Sequence, residues 1–413
     1  MLSFQTIGWI TLVANRVRQC NRDTFSASID KIVTLSITVG TAAILIAVMV
    51  MLGFQKEIRK KITAFGGDFE ITQYGGVQHP YEPIPIQASQ VSRLMAYLPS
   101  CIKKITPFTQ KIMLVRTKEG VEGVLCKGMD PMVADTTLAT YLIAGRLPNL
   151  TKATHANELC ISHRLAQKLS IQLGDSVVVH TVYPSPRYRK LKIVGIYRTY
   201  LTDIDENLAF CDMRLLQRLN NWSSEMINGY TIFLKDHLKP IKVWRDTILP
   251  FIDYGLVLVS TQRKYASFYD WLNLIQKNTA MFILFVLLIG GSTMVATMMI
   301  QLMERSYMVG VLKVLGAYNW QVNAILLYKS LRTLCFGMVY GNLLGIGLCL
   351  LQNHYRLLRL EPALYYMRYV PIYIDWQTIL YPNLAIIAAL LLVLCLAINC
   401  LKHKKVVEAL QEE

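Results

Sequence analysis

Acidic side chains are scarce in this chain. Its 413 residues carry 27 Asp and Glu against 43 Lys and Arg, and no Asp, Glu or His lies deep in an apolar run. That argues against a proton- or sodium-coupled carrier, which needs an ionisable group inside the membrane. No GxxxxGK[ST] phosphate loop occurs, so the chain cannot supply an ATP site by that route, and kinase signatures are missing too. A GxSxG nucleophile elbow is also missing. The seven histidines (79, 155, 163, 180, 237, 354 and 403) form no HExxH pair and no Cys/His spacing suited to zinc. No enzyme site, metal or cofactor is therefore expected. The nine cysteines follow no disulfide or metal pattern. Cys101, Cys126, Cys160 and Cys211 lie where bridges are chemically possible, but unpaired burial is the simpler expectation. No cleavable signal peptide is expected. The first apolar run starts only near Val33, is too long for a signal core and has no small-residue cleavage site, so it should stay as an anchor.

Hydrophobic residues, by contrast, make up 53% of the chain, which points to an integral membrane protein. Crossing a hydrocarbon core takes about 20 helical residues. Runs at 33–54, 279–303 and 379–401 are long enough, and 321–351 qualifies because Lys329 and Arg332 near its start can reach back to the interface. Short flanks decide orientation. Arg16, Arg18, Arg22 and Lys31 precede the first span, and Lys402, His403, Lys404 and Lys405 follow the last, so both ends read as cytoplasmic. The rest of the net charge of +16 is scattered through the region between the first two spans, which makes nucleic-acid binding a poor explanation.

The expected class is an α+β membrane protein: four transmembrane helices, with one large α+β extracytoplasmic domain between the first and second. Residues 1–32 form a cytoplasmic segment, either an amphipathic surface helix or an extension of the first span. Residues 55–278 form the outside domain with its stalks. Gln55 to Phe65 is a charged helical pattern broken by Gly66-Gly67, and 261–278 is a helical pattern feeding the second span. Strands are predicted at 69–73, 112–117, 123–127, 176–181, 190–198, 208–211 and 230–234. Helices are predicted at 89–98, 162–169, 213–219 and 240–249. The loop at 352–378, rich in Tyr and Arg, suits a short cap at the headgroup layer. Residues 402–413 form a cytoplasmic tail.

The segment between the second and third spans, 304–320, is the most informative. Residues 304–317 read ERSYMVGVLKVLGA, with Met308, Val311, Leu312 and Leu315 on one helical face and Ser306, Gly310 and Lys313 opposite. Gly316 falls where a helix would close in a left-handed cap. A short amphipathic helix held at the inner face is a part that another protein can push. In the third span, Gly337, Gly341 and Gly345 repeat at every fourth residue and make a groove for close contact with another span, in this chain or in a second subunit.

These residues resemble the permease subunits of type VII ABC transporters, the MacB/FtsX superfamily, and within it the lipoprotein-releasing (Lol) permeases in the form found in Bacteroidetes-like bacteria. The resemblance runs along almost the whole chain. In the outside domain it rests on Gly145-Arg146-Leu147-Pro148, Glu158-Leu159-Cys160-Ile161-Ser162, Leu173-Gly174-Asp175 and Lys192-Ile193-Val194-Gly195-Ile196-Tyr197. Tyr269-Asp270-Trp271-Leu272 followed by Glu304-Arg305 and Val309 to Ala317 is its most specific part. Gly341-Asn342, Gln352, Tyr365-Tyr366 and Val370-Pro371 point to the branch. Two features depart from the pattern: Lys404-Lys405 stand where a proline usually precedes the C-terminal motif, and Lys329-Ser330 stand where many relatives have an acid.

The resemblance implies a non-enzymatic permease in the bacterial inner membrane. A cytoplasmic ATPase dimer would contact a coupling helix through Glu304, Arg305, Met308, Gly310, Val311, Leu312, Lys313, Leu315, Gly316 and Ala317. The expected partners further include a second permease subunit, the same chain or a paralogue, a periplasmic lipoprotein carrier and membrane lipids. The cargo implied is lipoprotein extracted from the outer leaflet between the first two spans. At that level stand Leu45, Met49, Leu52, Phe54, Phe268 and Ile275, which either line the entry or face lipid. Periplasmic efflux of peptide or antibiotic amphiphiles, and transmembrane signalling to a cell-wall hydrolase, are the alternatives.

Overall fold

The computed structural model describes residues 25–75, 84–91, 94, 102–129, 138–150, 156–181, 186–235, 241–304, 314 and 318–403. They divide into two compact units. One holds the apolar helices (Met1–Lys56, Trp271–Arg359 and Tyr369–Glu413), and the other is rich in sheet (Glu57–Asp270 with Leu360–Arg368). A short piece of the loop that follows the third apolar helix thus belongs to the sheet-rich unit.

In chain order the elements begin with helix α1 (Phe25–Gly66), strand β1 (Phe69–Gln73), β2 (Ile86–Gln87), β3 (Ile102–Arg116), β4 (Val121–Met129), β5 (Leu142–Gly145) and β6 (Glu158–Ser162). They continue with α2 (His163–Lys168), β7 (Ser176–Thr181), β8 (Arg187–Tyr197), α3 (Thr202–Asn207), β9 (Leu208–Asp212), α4 (Met213–Leu219), β10 (Met226–Ile227) and β11 (Gly229–Leu234). The last group is α5 (Ile241–Ile248), β12 (Leu256–Ser260), α6 (Thr261–Lys264), α7 (Ala266–Glu304), α8 (Asn319–Tyr355), α9 (Pro362–Tyr365) and α10 (Trp376–His403).

Among the described residues, four helices are long and apolar enough to cross a membrane: α1, α7, α8 and α10. They share a core of Val33, Ile37 and Ile44 from α1, Met294 from α7, Leu334 and Met338 from α8, and Ile386 and Leu390 from α10. In lipid the apolar effect does not drive helices together, so close packing and polar contacts must. Both are present. A Cβ added at Gly341 would stand 2.7 Å from Thr41 Cβ and 2.8 Å from the Thr38 carbonyl oxygen. At Gly337 it would meet Ile37, and at Gly345 the backbone of Ala42. The glycine groove of α8 is therefore filled by α1 of the same chain, and the Thr38 hydroxyl donates to the Gly337 carbonyl at 3.2 Å. Between α8 and α10, Asn342 and Asn383 exchange two amide hydrogen bonds, at 2.9 and 2.8 Å.

The sheet-rich unit is built on a ten-stranded sheet ordered β12-β1-β11-β3-β4-β9-β6-β8-β5, with β7 bridging β3 and β8. The long β3 joins two halves. Its first part pairs with β11 and its second with β4 and β7. One core gathers Phe69, Ile71, Ile102, Ile232 and Leu258 under Trp244 and Ile248 of α5. The other packs Leu165 of α2 and Leu215, Leu216 and Leu219 of α4 onto Met113, Val124, Leu159, Val179, Leu191 and Ile193. Cys126, Cys160 and Cys211 are buried in this unit as free thiols, and burial pushes the Cys160 thiol up to about 12.

Several predicted strands recur here with the same or nearly the same bounds, among them β1, β7, β9 and β11. Others differ. Residues 112–116 of one predicted strand and all of 123–127 fall within the longer β3 and β4, while β2, β5, β6, β10 and β12 carried no prediction. All five residues of β6 are buried, so it shows none of the alternation that marks a half-buried strand. Pro107 and three lysines interrupt the apolar pattern of β3.

Candidate functional site at the roots of the stalk helices

The two long helices that enter the sheet-rich unit do so side by side. Helix α1 ends at Gly66, and one turn later the chain is in β1. Strand β12 leads through α6 into α7. β1 and β12 are antiparallel neighbours, with Phe69 opposite Ser260 and Gln73 opposite Leu256. The exit of one long helix and the entry of the other thus share one pair of strands.

Local chemistry fixes this arrangement. Gly67 has φ +62°, where glycine bears no Cβ penalty, and an added Cβ would meet Thr231 Cγ2 and lie 2.7 Å from the Ile232 carbonyl oxygen. Ser260 caps α6 by accepting from the Arg263 amide at 3.3 Å. The Thr261 amide donates to the Asp68 carbonyl at 3.0 Å, and its hydroxyl to the Gly66 carbonyl at 3.2 Å. The Asp68 carboxylate accepts from the Leu234 amide at 2.9 Å and faces the Arg59 guanidinium at 3.8 Å. Backbone and side-chain bonds therefore tie both roots to each other and to β11.

A buried charge cluster completes the junction. Glu70 on β1 faces Lys264 of α6 at 2.9 Å and Lys127 of β4 at 3.5 Å. The Lys127 ammonium also donates to the Phe65 carbonyl in the last turn of α1, at 2.8 Å. Burial alone would raise the Glu70 carboxyl, but the two ammoniums overcome it and hold the group below the usual carboxylate range. At Lys127 burial outweighs the pull of Glu70 and lowers the ammonium. One carboxylate and two ammoniums thus link both helix roots to the middle of the sheet.

Residues 32–240, just over half of the chain, match the MacB-like periplasmic core domain, and residues 280–406 match the FtsX-like permease C-terminal region. The chain belongs to this permease family. It is a membrane subunit of the ABC transporter type and an inner-membrane protein. The permease is 23% identical over 398 residues to the lipoprotein-releasing system transmembrane protein LolC of Xylella fastidiosa (strain 9a5c), covering 92% of this chain and 91% of that one. It is 22% identical to LolE of Haemophilus influenzae, with 78% of each chain covered. LolC of Neisseria meningitidis serogroup B is 21% identical, over 83% of this chain and 82% of its own length. The solved periplasmic region of MacB from Actinobacillus actinomycetemcomitans covers 50% of this chain and 94% of its own, with 11% identity and a TM-score of 0.35.

Within the permease the sequence-predicted residues fall in separate places. Glu304 is the last residue of α7. Arg305, Met308, Gly310, Val311, Leu312, Lys313, Leu315, Gly316 and Ala317 lie outside the described residues. Leu45 and Met49 are fully buried, with Leu45 beside Gly345 of α8, while Leu52 and Ile275 are half-buried. Phe54 is buried edge-on to Trp271 at 6.1 Å. Phe268 is buried edge-on to Tyr366 at 5.2 Å. The charge cluster of Glu70, Lys127 and Lys264 was not singled out from sequence. Its signals are charges set among other residues, Glu70 in FEITQ, Lys127 in VEGVLCKGM and Lys264 in TQRK, each of which reads equally well as a solvent-facing position.

Proposed function

We propose that the permease converts the stroke of a separate cytoplasmic ATPase into movement of its outside domain, and so releases lipoproteins from the outer leaflet of the inner membrane. The paired roots of α1 and α7 on adjacent strands carry this reading. A push at the inner end of α7 travels along one continuous helix, Ala266–Glu304, to a root bonded into the sheet. The coupling segment is the stretch between α7 and α8, where Met308, Val311, Leu312 and Leu315 form the apolar stripe an ATPase cleft would take. Both termini and this segment lie on the cytoplasmic side, as the flanking bases favour. The outside domain faces the periplasm. Hydrolysis belongs to the partner ATPase, and a second permease subunit completes the membrane part.

Similarity to LolC and LolE along most of the chain supports lipoprotein as the cargo. Acyl chains would enter beside α1 and α7, near Leu52 and Ile275, and the released lipoprotein would pass to a periplasmic carrier. Purification of the solubilised complex tests this. Triacylated lipoproteins are expected to co-purify and to leave on addition of ATP. Recovery of peptide amphiphiles or a cell-wall hydrolase in their place would refute the cargo assignment.

A further inference from the structure

The sheet-rich unit holds an open pocket of about 350 Å³, lined in part by His163, Arg198, Tyr200, Thr202 and Pro362. Pockets that bind small molecules begin at about this size. Its chemistry is lopsided. Three cations surround the Tyr200 ring: the Lys61 ammonium at 5.5 Å, the Arg198 guanidinium at 5.6 Å and the Arg368 guanidinium at 5.4 Å from the centroid. Each is attracted by the ring face, but gathered together they repel one another.

Glu57 and Asp205 both attract the Lys61 ammonium, but the two guanidiniums are left without such a balance. The Asp205 carboxylate, buried in the wall, already accepts from the Thr199 hydroxyl at 2.8 Å, the Thr199 amide at 3.1 Å and the Tyr200 amide at 3.0 Å. Glu206 is held by Arg164 at 3.0 Å. Lys61 is occupied by the carbonyls of Thr199 and Tyr366, at 3.1 and 2.7 Å. Among the described residues, no carboxylate pairs with Arg198 or Arg368. Burial and the positive field of Arg198 together hold the His163 imidazole below its usual value. The ring that gathers these cations is itself on strained backbone, since Tyr200 has φ +66°. Strain of this kind persists where the surroundings over-determine it, and here the Tyr200 amide is pinned by Asp205.

We propose that this pocket binds a phosphate group, and specifically the phosphodiester of an anionic phospholipid headgroup. Arg198 in the pocket lining and Arg368 beside the same Tyr200 ring supply two planar guanidinium forks of the kind that match phosphate oxygens in pairs. Chain connectivity favours lipid over an acidic peptide. Pro362 and Arg368 belong to the loop between the third and fourth spans, and residues 356–361, fully extended, reach at most about 20 Å from the end of α8. The pocket is thus joined through a short covalent link to a helix long and apolar enough to cross a membrane, which a soluble peptide partner would not require. The volume also exceeds what a bare ion needs.

Titrating the full-length chain in uncharged detergent with dihexanoyl-phosphatidylglycerol, inorganic phosphate and a hexaglutamate peptide tests the proposal. The short-chain lipid should bind saturably, and R198A and R368A should each weaken it about tenfold, as expected for losing one charge-assisted contact. R189A, which removes an exposed base elsewhere on β8, should leave binding unchanged. Unaltered thermal unfolding of the variants shows that the fold persists. Equal lipid binding by wild type and both pocket variants would overturn the proposal. Tighter binding of inorganic phosphate than of lipid would overturn the lipid source, and tighter binding of the peptide would assign the pocket to a protein partner instead.

Discussion

Replacing Glu70 with glutamine is expected to destabilise the permease by about 3–5 kcal/mol and to abolish cargo release. The size of the effect follows from what the change leaves behind. Glu70, Lys127 and Lys264 have side-chain exposures of 6%, 13% and 33%. Removing one partner of a buried ion pair strands the remaining charge away from water, which costs far more than the intact pair contributes. Here Lys127 would keep only its bond to the Phe65 carbonyl, while Lys264, a third exposed, would keep partial contact with water. The loss should appear as a lowered thermal midpoint of the purified full-length chain. Replacing all three residues by apolar ones of similar size should restore most of the stability, because that removes the stranded charges as well.

The same cluster sets a pH dependence with a definite sign. The Glu70 carboxyl titrates lower in the folded chain than in the unfolded one. Its contribution is therefore complete above the ordinary carboxylate range, about pH 4–5, and is lost as the pH falls through the folded value. The Gln variant should lack that acid-side loss. An unchanged midpoint and an unchanged acid limb in the variant would rule out a structural role for the cluster.

Leu312→Asp and Gly310→Trp should each cut cargo release at least tenfold while the partner ATPase continues to hydrolyse ATP. In the proposed coupling segment the sequence pattern puts Leu312 on the apolar stripe, so a carboxylate there would either stay solvated or be buried unpaired, and burial costs several kcal/mol. Since about 1.4 kcal/mol is a factor of ten in an equilibrium, even part of that cost disengages the segment. A tryptophan at Gly310 acts by bulk instead. Membrane insertion should be normal, because neither position belongs to a span. Full coupling in both variants would remove the assignment of 304–317 as the point where force enters.

The membrane part was legible in the sequence because lipid demands a long apolar run, and α1, α7, α8 and α10 each contain one. The spacing of Gly337, Gly341 and Gly345 showed a groove but not its occupant. Long-range pairing with Thr34, Ile37, Thr38, Thr41 and Ala42 exists only in three dimensions. Half-buried strands such as β7 announced themselves by alternation, while the fully buried β6 did not. The charge cluster stayed hidden for a related reason. Glu70, Lys127 and Lys264 are far apart along the chain, and each alone looks like a surface charge. Likewise, nothing in the Tyr-rich last loop marked Leu360–Arg368 as part of the sheet-rich unit, or Arg368 as a neighbour of Tyr200.

Lipoprotein is the proposed cargo of this permease. Depleting the chain in its own cells and following a tagged outer-membrane lipoprotein by membrane fractionation tests it most directly. The tagged lipoprotein should accumulate in the inner membrane as the permease disappears, and wild-type permease, but not Leu312→Asp, should reverse this. Unchanged outer-membrane delivery after depletion, with altered peptide or drug efflux, would contradict the account.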